Sequence, residues 1–452
     1  MSAWMYFVIL IVLVALGFAV AKRPMYEVLI ASFVIMVLIT GNIANIWTYI
    51  VNGASSYLLY TIAAFIAFAL VLEKTGVISD LINIVVAIVG KVSGGAGYVA
   101  LLASAMMGSL SGSGPANSAA VGVITIPAMK RTGYPPELAA TVEMAASALG
   151  PIIPPSAAIV ILFGALDSVF PNQYTFSQFW LFAWVIAFWL VVHRFVTLFF
   201  LIRKYDVKPI PKEERIGLGQ ALRQGWRALL LPMIVFIPFI IDALWQDTFV
   251  LSRLGEAGAS SFASILLTVV PSISIAYIAL IGRKSGAKVD FSYLVKTLGE
   301  GISSIAPIII MAFAGFAITE LFNDIGVAES ISKELQGITV PMWVAAIVCP
   351  LIFTVLGMFM EVTSLFVLLG PIYITLAAAA GINPMLAAMM VNVMTCAMGH
   401  MTPPFALCFY VCMGIAESDF RKTTKLSIVW CAGQLVLTIL ILYGLIPMFG
   451  MV

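Results

Sequence analysis

Gly150-Pro151-Ile152-Ile153-Pro154-Pro155 and Gly399-His400-Met401-Thr402-Pro403-Pro404 repeat one design inside long apolar stretches: a glycine followed, at the same spacing, by two adjacent prolines. Proline lacks the amide hydrogen a helix needs, and its ring clashes with the carbonyl one turn back. Each double proline therefore frees carbonyls upstream, around 150–153 and 399–402. In hydrocarbon an unpaired backbone group costs several kcal/mol, so such a break must face protein, water or a ligand. A double proline alone can also mean only a kinked helix, so the surroundings decide.

The surroundings match as well. Upstream of the first break lie Thr75-Gly76-Val77 and a small-residue run, Gly108-Ser109-Leu110-Ser111-Gly112-Ser113-Gly114. Upstream of the second lie Ile325-Gly326-Val327 and Gly357-Met358-Phe359-Met360-Glu361. Ile126-Pro127 and Gly133-Tyr134-Pro135 correspond to Gly370-Pro371 and Gly381-Ile382-Asn383-Pro384. We read the small runs as tips of two re-entrant helical hairpins, each followed by a broken helix. Paired, Gly/Pro-interrupted hydrophobic segments at corresponding positions are the sequence signature of a transporter binding site.

Composition sets the solvent. Of 452 residues, 62% are hydrophobic and 10% charged, against about 25% charged in a soluble domain. A bilayer-spanning helix needs about 20 apolar residues. We place such segments at 4–21, 27–45, 57–73, 178–202, 228–246, 260–282, 301–320 and 426–448, with the two broken regions at 93–165 and 340–416. The first run has no basic residue before it and Lys22-Arg23 after it, the reverse of a signal peptide, so it reads as a helix with its N-terminus outside. The basic loops 22–23, 203–227, 283–296 and 421–425 then all fall in the cytoplasm, as the positive-inside rule requires. Lys130-Arg131 puts the first hairpin on the cytoplasmic side. The uncharged turn at 381–384 puts the second on the periplasmic side, so the repeat is inverted. Trp180, Trp245 and Trp430 fall where an aromatic belt is expected. Cys349, Cys396, Cys408, Cys412 and Cys431 lack metal-like spacing and read as buried thiols.

The motifs in order, from Gly94-Gly95 through Gly108–Ser113, Met129–Tyr134 and Gly150–Pro155 to Leu356–Glu361, Gly370-Pro371 and Met401–Pro404, resemble the large membrane subunit of TRAP (tripartite ATP-independent periplasmic) transporters. The resemblance implies an all-α polytopic membrane protein, an elevator-type carrier of the ion transporter superfamily, in the bacterial inner membrane. It implies Na⁺-coupled uptake of an organic acid such as a sialic acid or a dicarboxylate, with no cofactor beyond the coupling ion. It also implies two partners, a small four-helix membrane subunit and a periplasmic substrate-binding protein. Two places depart from the family pattern: 254–261 reads Leu-Gly-Glu-Ala-Gly-Ala-Ser-Ser where a Thr-Pro-Thr-Glu-Ala-like stretch is usual, and His400 replaces a small or apolar residue.

Carbonyls and hydroxyls together suit a hard cation. Site one is expected at Ser111, Ser113 and the carbonyls of Gly150 and Ile153, with Pro155 shaping the turn; site two at Gly357, Glu361 and Thr402. Substrate is expected near Ser113, Asn117, Thr363, Ser364, His400 and Pro404. Each has a plainer reading: the serines can bond back to their own helix, Asn117 can satisfy hairpin backbone, and His400 can make a structural hydrogen bond. Glu361, a carboxylate deep in the membrane, is a Na⁺ ligand, a proton site or the partner of a lysine. Glu143 reads as solvated near the inner boundary. Arg194 reads as snorkelling or as facing a lipid or partner subunit, and the aromatic face of 179–201 as that subunit's seat. The expected division is a static frame of 1–56, 167–300 and 418–452 around a mobile body of 57–166 and 301–417. Alternatives are a stand-alone carboxylate carrier of the same superfamily and, without a supporting motif, an intramembrane hydrolase using Ser113 and His400. No basic patch or phosphate loop points to nucleic acid.

Overall fold

The computed structural model describes residues 3–112, 114–154, 156–211, 217–284, 287–327, 330, 340–358, 362–403 and 406–451. Their regular structure is helical, apart from a two-residue antiparallel pairing of Arg283–Lys284 with Ala287–Lys288.

The N-terminal third begins with α1 (Ala3–Ala15), which runs on through a π-helical turn to Val20. Next comes α2 (Met25–Thr40), stopped by Gly41 at φ 75°, so this helix ends before the expected 45. The short α3 (Ile46–Ser55) and α4 (Tyr57–Lys74) form one bent pair, at 43°. After them α5 (Val77–Val89) starts behind Gly76, also left-handed.

The first broken region folds as α6 (Gly95–Ser111), α7 (Gly114–Arg131), α8 (Pro136–Ser147) and α9 (Ala157–Val169). A capping box of Thr175 and Gln178 opens α10 (Phe176–Tyr205). The amphipathic α11 (Leu218–Gly225) joins α12 (Leu230–Trp245) at 67°. Two long helices follow. In α13 (Leu251–Ile281), Gly255 leaves helical geometry at φ 68°; α14 (Phe291–Asp324) is capped by Asp290.

The second broken region supplies α15 (Cys349–Gly357), α16 (Val362–Ala379), α17 (Pro384–Cys396) and α18 (Leu407–Ala416), and α19 (Phe420–Leu442) closes the described chain.

Among the described residues, four stretches are long and apolar enough to cross a bilayer unaided: 176–205, 305–324, 384–401 and 420–442, or six counting the two bent pairs. In three of them 39% of the most apolar 18-residue window is buried within the protein, whereas in 384–401 it is 89%. The second broken helix is therefore lined by protein rather than lipid, as its freed backbone requires.

Two main apolar cores organise the described residues. The larger joins α4 to α10 with α12, α13 and α15 to α19. The smaller joins α1, α2, α3 and α14 through Leu10, Leu29, Phe33, Met36 and Leu321 and takes in Leu368 of α16, while Ala312 of α14 belongs to the larger. Polar ties reinforce the second: Tyr49 donates to Asp324, and Asn52 Nδ2 donates to Glu320 at 3.1 Å. Trp180 and Trp430, expected in the aromatic belt, are buried. Trp180 and Trp184 pack on Phe236 of α12, with ring centroids 5.6 and 5.0 Å apart. The aromatic face of 179–201 is thus turned inward at this end, where a partner's seat was expected.

Candidate functional site

The arms of each hairpin are tied together. In the first, Asn117 Nδ2 of α7 donates to Ser104 O of α6 at 2.7 Å. In the second, Tyr373 Oη of α16 donates to Ala345 O, just before α15, at 3.1 Å. Each hairpin then meets its own broken segment backbone to backbone. A Cβ added to Gly108 would lie 2.6 Å from Gly150 Cα, and one on Gly150 would lie 2.8 Å from Gly108 Cα. In the second half, a Cβ on Gly399 would lie 2.6 Å from Gly357 O, and one on Gly357 would lie 3.0 Å from Thr395 Cα. Only glycine, with no side chain, permits this approach. The two glycine pairs occupy corresponding positions in the two repeats, which is why the punctuation of the sequence repeats.

The halves also cross. Asn392 Nδ2 of α17 donates to Pro151 O in the first break at 2.9 Å. His400 Nδ1, Cys408 Sγ and Ser147 O all border the space a side chain would fill at Gly114. The broken segments are held from outside by two long helices. The fully buried Arg194 of α10 donates through Nε to Ala145 O at 3.1 Å and through Nη2 to Gln434 Oε1 of α19. Gln434 Nε2 passes the connection to Val393 O at 3.2 Å, and Ser427 Oγ donates to Met401 O at 2.7 Å. Arg194 therefore faces the interior, not lipid or a partner.

Of the expected residues, Asn117, Gly150, Ile153, Gly357, His400 and Thr402 belong to these hairpins and breaks. Asn117 packs against Gly108, and Gly150 and Ile153 lie in the first break, where their carbonyls accept no hydrogen bond among the described residues. Gly357 abuts Gly399. The Thr402 hydroxyl bonds back to Met398 O, the plainer of the uses open to it. Thr363 is buried in the first turn of α16. Ser111 and Ser364 are placed in α6 and α16 by their backbones alone. Ser113, Pro155, Glu361 and Pro404 lie outside the described residues.

Asn117 Oδ1, Asn392 Oδ1 and His400 Nδ1 are among eleven buried side-chain polar atoms with no hydrogen-bond partner among the described residues. Buried polar atoms usually find a partner, and these three stand beside the hairpins and breaks where the halves cross, so they are placed to receive a polar ligand. Oxygens from two amides and two free carbonyls are a donor set that a hard cation accepts. No group of three or more His, Cys, Asp or Glu suited to a transition metal occurs among the described residues.

Asn392 was missed in the sequence. It sits as far before Gly399 as Glu143 does before Gly150, and that matched polar pair inside apolar runs was the available signal. Replacing Asn392 with alanine leaves Pro151 O unsatisfied and should cost about 1–3 kcal/mol, read as a lower denaturation temperature in detergent. Asn392→Asp, which loses the donor and adds a charge, should cost more.

Residues 7–448 match the family described as the tripartite ATP-independent periplasmic transporter, DctM component. The chain belongs to the DctM family. It is a multi-pass membrane transporter component, not an enzyme, as the motif resemblance implied. Among DctM relatives, the C4-dicarboxylate TRAP transporter large permease of Pseudomonas aeruginosa is 25% identical over 86% of this chain and 84% of its own. The sialic acid TRAP transporter large permease of Vibrio cholerae is 22% identical over 83% of this chain and 81% of its own. Among solved structures, the YdaH transporter of Alcanivorax borkumensis superposes with a TM-score of 0.64 at 16% identity, covering 89% of both chains. MtrF of Neisseria gonorrhoeae, from a class of antimetabolite efflux pumps, superposes with a TM-score of 0.61 at 14% identity, covering 89% of this chain and 84% of its own. At these identities the superpositions concern the fold alone.

Proposed function

We propose that this DctM-family chain carries a small organic acid, of the dicarboxylate or sialic acid type, inward across the bacterial inner membrane in symport with Na⁺. The carrying observation is the crossing of two glycine-paired breaks at one place, with unpartnered amide oxygens and free carbonyls beside them. Such oxygens suit Na⁺. The acid is held by the bound ions and by hairpin amides, since the buried arginine is occupied elsewhere. The N-terminus is periplasmic, and the two hairpins enter the membrane from opposite sides.

Movement follows the division of the cores. α1, α2 and α3 pack with α14 into a frame, and α14 carries the contact to the hairpin body through α4 and α16. A cavity of about 70 Å³ lies on its border with the hairpin body, lined by Leu10, Ile318 and Phe322 on one side and Val169, Val367 and Pro371 on the other. Loose packing there suits a surface along which one body slides past the other. The sequence places α10 and α19 in the frame and residues 301–324 of α14 in the mobile body, whereas α14 packs with α1, α2 and α3. The hydrogen bonds of α10 and α19 to α8, α17 and the second break favour their travelling with the hairpins in an elevator movement.

The family is tripartite, and a periplasmic binding protein and a small membrane subunit complete the proposed machine. The test is reconstitution in liposomes with an inward Na⁺ gradient, with and without both partners. Uptake should require all three proteins and should lose Na⁺ activation in Ser111→Ala and Ser113→Ala. Rapid Na⁺-driven uptake by the purified chain alone would instead establish the stand-alone carrier.

A further inference from the structure

Glu143 is completely buried in the middle of α8, where a solvated position was expected. It lies about 10 Å along the chain direction from Gly150, at 1.5 Å per helical residue. A buried carboxylate normally needs a cation beside it, and no basic side chain among the described residues pairs with this one. Three hydroxyls surround it instead. Ser104 and Ser147 donate to Oε1, the latter at 3.0 Å, and Thr125 Oγ1 lies 2.5 Å from Oε2. Gly122 leaves room for the side chain: an added Cβ there would lie 3.3 Å from Glu143 Cγ.

Thr125 has one hydroxyl hydrogen and two acceptors. Val121 O stands 3.0 Å away, in addition to Glu143 Oε2. When the carboxylate is ionised, Thr125 gives it that hydrogen and Glu143 receives three donors. When Glu143 is protonated, its own O–H donates to Thr125, whose hydrogen turns to Val121 O. Both states are then fully hydrogen-bonded, and they differ by one proton and one hydroxyl rotation. A metal ion bound at about 2.3–2.6 Å would hold its ligand oxygens more than about 3 Å apart. The cluster is therefore sized for a proton.

The helices packed around α8 supply little that competes. From α18, the buried thiols of Cys408 and Cys412 lie within electrostatic reach of the carboxyl. Arg194 of α10 reaches α8 at Ala145 O, with His193 beside it. Lys422 of α19 pairs with Glu137 at the other end of α8, at 3.6 Å. Lys130 of α7 is held at Ala416 O and Glu417. Tyr98 of α6 stacks on Phe195, and His400 borders Gly114.

We propose that Glu143 is a reversible proton-binding site of the carrier, whose loading changes the charge of the moving body and makes uptake pH-dependent. The proton comes from water, forms the O–H bond at Oε2 and returns to water on release; no other covalent bond changes. The inference rests on the carrier reading above only for its consequence in uptake.

The test is infrared difference spectroscopy of the full-length chain in liposomes on stepping the pH. Wild type should show the C=O band of a protonated carboxyl that is lost as pH rises. Glu143→Gln, which mimics the protonated shape, should lack that band while keeping the wild-type denaturation temperature. Thr125→Val, which keeps the carboxyl and removes the hydroxyl, should change the pH at which the band is lost. In the complete liposome system, the pH response of uptake should flatten at least tenfold in Glu143→Gln. A wild-type band that never changes, or one that persists in Glu143→Gln, would overturn the proposal. The spectra do not depend on any substrate, so a failure of organic-acid uptake leaves them standing and counts against the transport reading alone.

Discussion

Arg194→Leu should be among the most damaging single changes in the protein. Its guanidinium is fully buried and joins three segments far apart in the chain: Ala145 O at the end of α8, Gln434 of α19 and, through Gln434, Val393 of α17. Its Nη2 also lies 3.6 Å from Met401 Sδ, and its Cζ lies 5.6 Å from the Trp430 ring centroid. Leucine strands Gln434 Oε1 and Ala145 O, at about 1–3 kcal/mol each. The expected result is a sharply lowered denaturation temperature in detergent. Gln434→Leu should be nearly as harmful, because it leaves a buried cation short of an acceptor. The double variant should be less destabilised than the sum, with a coupling of about 0.5–3 kcal/mol. Additive effects would show that the pair does not act as one unit.

The second large effect is expected at the glycine contacts. Gly150→Ala puts a methyl group 2.8 Å from Gly108 Cα, and Gly399→Ala puts one 2.6 Å from Gly357 O. The obstacles are backbone atoms, so no rotamer change relieves them. Each substitution should slow uptake more than tenfold, in keeping with the steep loss that about 1 Å of misplacement produces at a reacting or binding centre. Gly414→Ala in α18 is the control, since nothing lies within 4 Å of its added Cβ. It should transport normally. Wild-type uptake by Gly150→Ala would show that the close approach is not required during the cycle.

The sequence displayed the glycine pairs and the double prolines because backbone constraints leave few residue choices, and those choices are visible as letters. The long helices were legible for a similar reason: 176–205 and 420–442 exceed the length a bilayer demands. What escaped was short or directional. α3, α5 and α11 have 10, 13 and 8 residues, too few to register as spans. The facing of a polar side chain was equally hidden. Glu143 and Arg194 were placed near solvent or lipid because a helix sequence does not say which of its sides is enclosed. The hydroxyls of Ser104, Thr125 and Ser147, and the amide of Gln434, come from other turns or other helices and meet their partners only when the chain folds.

The glycine contacts carry one more implication. Where two main chains touch, the spacing between hairpin and break is set by atoms that every amino acid shares. Side chains around the seam can then be exchanged, and with them the solute that is recognised, while the frame of reference for that recognition stays put. Divergence can thus run far through the rest of the chain and still leave a working carrier, and the slowest-changing positions in such a lineage should be four residues that have no side chain at all.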